Sequence, residues 1–583
     1  MCLFLPMPTS SFRNLILAVV CFTSVLGARA RAQWVSEKYD LEEGWNAIWL
    51  SHDVSHGEIG DLLPGVVEEV WRWNPLPSPS RFIQTPALPV QPDTQWLVWR
   101  NGFPTQSTMT RFGANAAYLV KVADGSGGLE LTLPGRPVPP RYRWASSGLN
   151  FFGFPVQEPE DVGVRNFESF LGFSDEVAAG TGIFKYVGGL LGDNPVPVTA
   201  PLFEPLERGR AYWVKSSRYS EYYGPLRVGV AASGFAFGDA GEALAMRLRN
   251  VTEVAVDATF ALISSEAAPA GETAVAGDVP LRMRGAFDPV TGRHEYESFA
   301  APQVVPLSPG EEVEVVFAVD RAAMGGDAGD LFQSVLEVSD SLGQTRIDLP
   351  VSAETTSRSG LWVGAAVVSS VDQITAAPAP LGDGTAEVEV TTDADADAPT
   401  EFPLRLILHR DDAGAVKLLQ QVYVGLDDAG ETVVATGEAA LDGAELSSAR
   451  RLSSATFPLE AVVLAEEGDV GLTGSLSFEV VLAHSAASNP FVHLYHPDHD
   501  NKGAQFGPVL LGEGIESYTV RRAIDLTFVD DPAELGIGEL GWGSTVLGGR
   551  FEETVTGLRA QPITVKGQFI VYRTSGVGTL TEP

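Results

Sequence analysis

Five side chains that can bind a metal ion or transfer a proton lie close together near the end of the chain. A stretch of eight positions contains His493, His496, Asp498, His499 and Asp500. The chain has eight histidines, and four of them lie between residues 484 and 499. Neutral imidazole and carboxylate groups are ligands that suit Zn²⁺, Mn²⁺ or Fe²⁺. The segment is therefore a candidate divalent-metal site, and a metal-dependent hydrolase is the function that such a site would imply.

The spacing of these residues argues for a loop. Pro497 and the Asn and Gly residues after it disfavour a helix, so the i, i+3 spacing of the histidines creates no shared helical face. The zinc pattern H-E-x-x-H does not occur in the sequence. We favour a hydrogen-bonded loop in which Asp498 and Asp500 accept hydrogen bonds from backbone N–H groups. Metal binding is the alternative. His409–Asp411, in a predicted hairpin, can join such a site.

Two runs of alternating aspartates partly resemble calcium-binding loops. Asp498 and Asp500 have the required spacing, but Lys502 and Val509 stand where oxygen ligands are needed. The run 393–397, Asp-Ala-Asp-Ala-Asp, lacks the glycine at the sixth position. Ca²⁺ therefore joins Zn²⁺ and Mn²⁺ as a candidate metal, and solvated loops are the alternative.

The remaining motifs favour a non-enzymatic protein. Gly536, Gly538 and Gly541 match the dinucleotide-binding fingerprint in letters, but their flanks are rich in strand-forming residues, so we interpret them as a glycine-rich loop. Neither G-x-S-x-G nor G-x-x-x-x-G-K-[ST] occurs. No catalytic residue or cofactor is assigned from these patterns.

The first 32 residues have the three regions of a secretory signal peptide. Arg13 precedes an apolar run from Leu15 to Gly27, and Ala30-Arg31-Ala32 is a cleavage sequence before Gln33. The apolar run is too short to span a bilayer. We expect export to the cell surface or the extracellular space, with the periplasm as the alternative.

The positions of the cysteines and the net charge argue against several kinds of site and partner. Cys2 and Cys21 both lie in the predicted signal, so the mature chain is expected to lack disulfides, cysteine nucleophiles and Cys-ligated zinc. The formal charge is −36, and it is −39 without the first 32 residues, which carry three arginines and no acid. This charge disfavours a nucleic-acid partner. No later segment is long and apolar enough to predict a transmembrane helix.

The composition predicts an all-β protein. Gly (61) and Pro (39) are abundant, and turn signals recur at short intervals, as is typical of many short strands. One short helix is predicted within Val162–Leu171. We expect tandem β modules, an immunoglobulin-like sandwich and a larger C-terminal β-sandwich or jelly-roll-like domain.

An internal repeat organises residues 33–232. Gly44 opens GWNAIWL and Gly148 opens GLNFFGFPV, while AYLVK at 117–121 and AYWVK at 211–215 close the two copies. The predicted modules span 33–141 and 142–232. These motifs resemble a repeat of large secreted bacterial proteins, although Ser51 replaces its usual proline. The resemblance implies an extracellular β module without known catalytic residues.

Two further domains are predicted after the repeat. Residues 233–356 contain alternating strands at the spacing of an immunoglobulin-like sandwich. Residues 357–583 form a β domain with the His/Asp-rich loop. Its NPF at 489–491 and YHPDHDN at 495–501 resemble a C-terminal module of uncharacterised secreted bacterial proteins, which implies no established activity.

Tryptophans crowd the first module, namely Trp45, Trp49, Trp71, Trp73, Trp96 and Trp99. Exposed tryptophans stack on sugar rings, whereas alternation along strands favours core packing, which we expect for most of them. The sequence thus predicts an exported, non-enzymatic protein with a structural, adhesive or glycan-binding role. Its expected partner is a glycan or another cell-envelope component, and the alternative function is an extracellular metal-dependent hydrolase.

Overall fold

Strand accounts for 51% of the structure and helix for 7%, which confirms the all-β prediction. The computed structural model describes residues 33–582 except 74–95, 142–143, 145–147, 158–164, 175–176, 178–181, 217, 232–233, 291, 300, 381–385, 455–461, 492–512, 515–516 and 538–539. Within these residues, no helix has the length and apolar character needed to cross a membrane.

The described chain divides into two compact units. The N-terminal unit comprises the residues up to Val319 together with Gly329–Thr355, and the C-terminal unit comprises Asp320–Ala328 and the residues from Thr356 onward. The finer boundaries expected at 141/142, 232/233 and 356/357 stay predictions.

The first part of the N-terminal unit forms two small sheets. Its elements are β1 (Val35–Leu41), β2 (Gly44–Leu50), β3 (His52–Asp53), α1 (Ile59–Leu62), β4 (Val67–Trp73), β5 (Trp96–Arg100), β6 (Ala116–Val122) and β7 (Leu129–Pro137). The first sheet has the strand order β2-β6-β4-β5. The other sheet has three strands in the order β1-β7-β3. One face of the first sheet buries Ile48, Leu50, Val70, Tyr118 and Val120 in a shared core.

The next part contains a second sheet with the same strand order. Its elements are β8 (Gly148–Phe152), α2 (Phe167–Leu171), β9 (Ile183–Lys185), β10 (Val196–Pro197) and β11 (Tyr212–Ser216). The order β8-β11-β9-β10 defines the second sheet. The short helix predicted within 162–171 is α2, and Asn166 caps it by accepting a hydrogen bond from the Ser169 backbone N–H at 2.7 Å.

Two five-stranded sheets complete the N-terminal unit. Their strands are β12 (Leu226–Val230), β13 (Phe235–Ala236), β14 (Ala243–Asn250), β15 (Val256–Ser264), β16 (Leu281–Asp288), β17 (Arg293–Ser298), β18 (Gln303–Leu307), β19 (Glu312–Val319), β20 (Leu331–Asp340) and β21 (Arg346–Glu354). The strand orders are β12-β14-β19-β16-β17 and β13-β21-β20-β15-β18. Phe235, Phe260 and Phe317 pack edge to face within this sandwich.

The C-terminal unit is built on a nine-stranded sheet. Its elements are β22 (Gly360–Val371), β23 (Gln373–Pro380), β24 (Ala386–Asp393), β25 (Asp397–Arg410), β26 (Val416–Leu419), β27 (Gln421–Leu426), β28 (Thr432–Ala435), α3 (Gly443–Ser448), β29 (Arg450–Ser453), β30 (Val462–Leu464), β31 (Glu467–Gly468), β32 (Ser475–Leu482), β33 (Val520–Phe528), β34 (Val546–Thr556) and β35 (Ile563–Ser575). The large sheet has the order β30-β26-β25-β22-β35-β34-β33-β32-β31. Strict alternation of buried and exposed residues along β33 gives this sheet one apolar face.

The edge strand β2 is covered by the chain around the second sheet. The Trp45 N–H donates to the Gly189 carbonyl at 2.9 Å, and the Trp49 N–H donates to the Gly209 carbonyl at 2.8 Å. Gly44 has φ +82°, and a Cβ there would lie 2.1 Å from the Gly189 oxygen. Glycine is therefore required at the start of the GWN motif both by its φ angle and by the close approach.

A buried arginine connects β1 with β21 inside the N-terminal unit. Arg208 Nη2 lies 2.7 Å from both Glu37 Oε1 and Asp348 Oδ2, and the three side chains are 7%, 15% and 8% exposed. Burial raises the pKa of Glu37, but attraction and hydrogen bonding from Arg208 outweigh it and hold that pKa below its ordinary value. This stabilisation is present above the unfolded carboxyl pKa and is lost as the pH falls through the folded value.

Replacing Arg208 with alanine is expected to lower the free energy of unfolding by about 3–5 kcal/mol, because Glu37 loses its ion-pair partner and Asp348 is left with Arg346 alone. Urea denaturation followed by tryptophan fluorescence measures the change. Arg227→Ala is the matched control, since it removes an exposed ion pair with Glu221 and should cost about 1 kcal/mol or less. Equal losses in the two variants would contradict the stabilising role of Arg208.

Candidate functional site

The predicted metal ligands lie outside the described residues. His493, His496, Asp498, His499 and Asp500 all fall within 492–512. Among the residues that the structure describes, no group of three or more His, Cys, Asp or Glu side chains can hold a metal ion. Metal binding by the His/Asp-rich segment stays a prediction.

The residues that flank this segment are tied together by Asn489, which sequence reasoning missed. Its Nδ2 donates to the carbonyls of Leu482 at 3.3 Å, Ala483 at 3.0 Å and Tyr518 at 2.8 Å. Its Oδ1 accepts the Phe491 N–H at 3.0 Å. Asn489 is 2% exposed, so the amide replaces water for these backbone groups. The asparagine of the NPF motif thus joins the end of β32 to the chain that enters β33.

The histidine and arginine of the predicted hairpin have structural partners. His409 is 1% exposed, and its Nε2 lies 3.0 Å from the Val577 carbonyl oxygen. Burial lowers the pKa of His409 and favours the neutral ring. Arg410 makes a two-pronged ion pair with Asp469 at 2.6 and 2.7 Å. These contacts stabilise the end of the β25–β26 hairpin.

The other two loop motifs also serve the fold. Asp395, at φ +57°, pairs with Lys566 at 2.8 Å, and its backbone N–H donates to Asp372 at 3.2 Å. Gly536 and Gly541 have φ angles of +68° and +84° and lie between β33 and β34. Because β33 and β34 pair antiparallel, these glycines do not belong to a βαβ unit, which confirms the interpretation as a loop.

A cluster of aromatic side chains starts on the outer face of β4 and β5. Alternate residues of a strand face the same side, so Val70 enters the core while Trp71 and Trp73 face away from it. The register places Trp73 opposite Trp96 on β5. Their ring centroids are 5.2 Å apart, and those of Trp71 and Trp96 are 6.5 Å apart. This face of the first sheet is therefore aromatic.

The second sheet adds its own aromatic residues to this face. Trp213 on β11 stacks on Phe151 of β8, with centroids 4.6 Å apart and an interplanar angle of 18°. Trp73 meets Trp213 edge to face at 5.1 Å. Tyr186, just after β9, lies 6.2 Å from Phe151. We call Trp71, Trp73, Trp96, Phe151, Tyr186 and Trp213 the aromatic cluster.

Most of the aromatic cluster retains contact with solvent. Phe151 is 1% exposed, whereas the other five side chains have intermediate exposure. Trp45 and Trp49, at 9% and 2%, are buried as expected. The expectation of core packing therefore fails for Trp71, Trp73 and Trp96, which are only partly buried.

Polar groups border the aromatic cluster on one side. The Trp71 indole N–H donates to Glu69 Oε2 at 2.8 Å, and the Arg100 guanidinium lies 5.5 Å from the Trp71 ring centroid. Arg100 Nε is 3.7 Å from the same Glu69 oxygen. Burial raises the pKa of Tyr186, so its hydroxyl stays protonated. The site thus combines apolar ring faces with a carboxylate, a guanidinium and a hydroxyl.

Replacing Asn489 with alanine is expected to lower the stability of the C-terminal unit by about 1–3 kcal/mol, because buried backbone groups lose their hydrogen-bond partner. Calorimetry of the full chain measures the shift in the melting transition. Gln561→Ala, at an exposed position, is the matched control and should leave the transition unchanged. An unshifted transition in the Asn489 variant would show that water replaces the amide.

Comparisons with known proteins do not assign a function to this chain. No family model and no curated protein matches the chain. Two solved structures of proteins of unknown function from Bacteroides ovatus share 10% and 8% identity, cover 60% of this chain and 95% and 96% of their own, and have TM-scores of 0.17 and 0.16. The arabinofuranosyltransferase AftD from Mycobacteria shares 10% identity over 94% of this chain and 38% of its own, with a TM-score of 0.13. TM-scores this low carry no argument about fold or activity.

Proposed function

We propose that the protein is exported, has no enzymatic activity, and binds a neutral glycan at the cell surface or outside the cell through the aromatic cluster. The observation that carries this proposal is the set of five partly exposed aromatic side chains contributed by two adjacent sheets. A scaffold or adhesive role is compatible with the same site, since both need attachment to an envelope component.

The geometry of the cluster suits sugar rings. Aromatic faces attract the C–H groups of a pyranose ring, and aromatic contacts contribute about 0.5–1.5 kcal/mol beyond area burial. Trp73 and Trp213 belong to different sheets but lie only 5.1 Å apart, so one ligand can touch both. Glu69 and Arg100 stand beside Trp71 and supply an acceptor and donors for hydroxyl groups.

The charge of the chain favours an uncharged ligand. The 75 acidic residues outnumber the 39 basic ones, so a polyanionic glycan or a nucleic acid is repelled at long range. The predicted signal peptide supports export, and the thiol-free mature chain is compatible with an extracellular location.

Alanine at Trp73 or at Trp213 is expected to weaken glycan binding about twofold to tenfold, which is the affinity equivalent of one lost aromatic contact. A glycan array finds the ligand, and titration by intrinsic tryptophan fluorescence or calorimetry measures the affinity of each variant. Phe287→Ala removes an exposed aromatic residue of the sandwich and is the matched control. The proposal fails if no glycan binds, or if both tryptophan variants bind as tightly as the unmodified protein.

The second candidate function is an extracellular metal-dependent hydrolase. It is favoured by the five potential metal ligands between residues 493 and 500. It is also favoured by Asn489, whose hydrogen bond to Tyr518 connects the residues on the two sides of this segment. Zn²⁺ and Mn²⁺ are the metals that such a ligand set suits best.

A metal site predicts stoichiometric Zn, Mn or Ca in the purified full chain, and the loss of that metal in His496→Ala. Elemental analysis before and after EDTA treatment measures the metal content, and thermal melts measure its effect on stability. His294→Ala changes an exposed histidine of the sandwich and should keep the metal. A metal-free protein with an EDTA-insensitive melt would eliminate the hydrolase.

A further inference from the structure

The residue that follows the predicted cleavage site is buried. Gln33 is 1% exposed, and its Oε1 is enclosed without a hydrogen-bond partner. The next residue, Trp34, is also 1% exposed. Its N–H donates to Ser265 Oγ at 3.1 Å, and its carbonyl accepts the Glu266 N–H at 2.9 Å. The chain is therefore docked against the end of β15 from its first described residues onward.

A free amino terminus fits this position poorly. Cleavage after Ala32 would convert the Gln33 nitrogen into an ammonium group, and burying an isolated ammonium carries a large desolvation cost. The Arg136 guanidinium already lies over the Trp34 ring, 5.1 Å from its centroid. That arginine takes Glu272 as its partner at 3.5 Å, and Glu266 is hydrogen-bonded to Ser36. Of these two carboxylates, Glu272 is paired with a cation, and Glu266 accepts hydrogen bonds from the backbone N–H and the hydroxyl of Ser36 at 3.0 and 2.6 Å.

Glutamine can remove this charge by its own chemistry. We propose that the mature chain begins at Gln33 and that this residue is converted to pyroglutamate, so that the docked amino terminus is neutral. The α-amine nitrogen attacks the side-chain carbonyl carbon, a C–N bond forms, and the bond from that carbon to the amide nitrogen breaks. The amide nitrogen takes up the proton lost by the amine and leaves as ammonia. No oxidant or other co-reactant is consumed.

This inference rests on the proposed export and cleavage, and peptide mapping by mass spectrometry separates the two. The protein is collected after secretion by a host that recognises the signal. The expected N-terminal peptide starts at residue 33 and is lighter than its sequence by one ammonia. A peptide that starts at residue 33 with an intact glutamine overturns the modification and leaves export standing. A peptide that starts upstream overturns the cleavage, and the modification with it.

A second measurement tests whether the neutral terminus matters to the fold. Gln33→Asn keeps an amide but cannot close the five-membered ring, so its amino terminus stays free. The variant is expected to melt at a lower temperature than the cyclised protein at about pH 6, and the difference is expected to shrink near about pH 9, where a terminal amine loses its proton. A difference that does not change with pH would assign the loss to side-chain packing and overturn the role of the charge.

Discussion

The closure of edge strand β2 is the constraint on which the arrangement of the first two sheets depends. An open edge strand exposes a row of unpaired backbone groups, and here the chain around the second sheet accepts the N–H groups of Trp45 and Trp49. The contact brings backbone so close to Gly44 that no side chain fits there. With β2 anchored in this way, Phe152 of the second sheet packs edge to face on Trp49, whereas Trp71, Trp73 and Trp96 on the same outer face keep part of their surface exposed.

The aromatic cluster is a consequence of this arrangement. Trp49 lies where the coverage is complete and is 2% exposed, whereas Trp73 and Trp96 lie further across the sheet and keep part of their surface. The first and second sheets have the same strand order, β2-β6-β4-β5 and β8-β11-β9-β10, and the aromatic contacts between them join β4 with β11 and β5 with β8. The cluster needs no loop of its own, because strands of the two sheets carry five of its six side chains.

The described residues contain no cysteine, and buried polar side chains connect distant parts of the chain instead. Arg208 connects two carboxylates from different sheets, and a buried ion pair of this kind fixes geometry even where its net stabilisation is modest. Asn489 does the same for backbone groups at the base of the His/Asp-rich segment. In both places one side chain with several donors satisfies groups that are distant in sequence.

The sequence by itself determined the all-β class, the short helix near Val162–Leu171, and the loop character of the glycine motif at 536–541, because these follow from local preferences. Only the tertiary structure decided the exposure of Trp73 and the partners of Arg208, since each depends on contacts between residues more than a hundred positions apart. Periodicity reports which residues share a face of a strand, but whether that face meets solvent, a core or another sheet is a property of the packed chain.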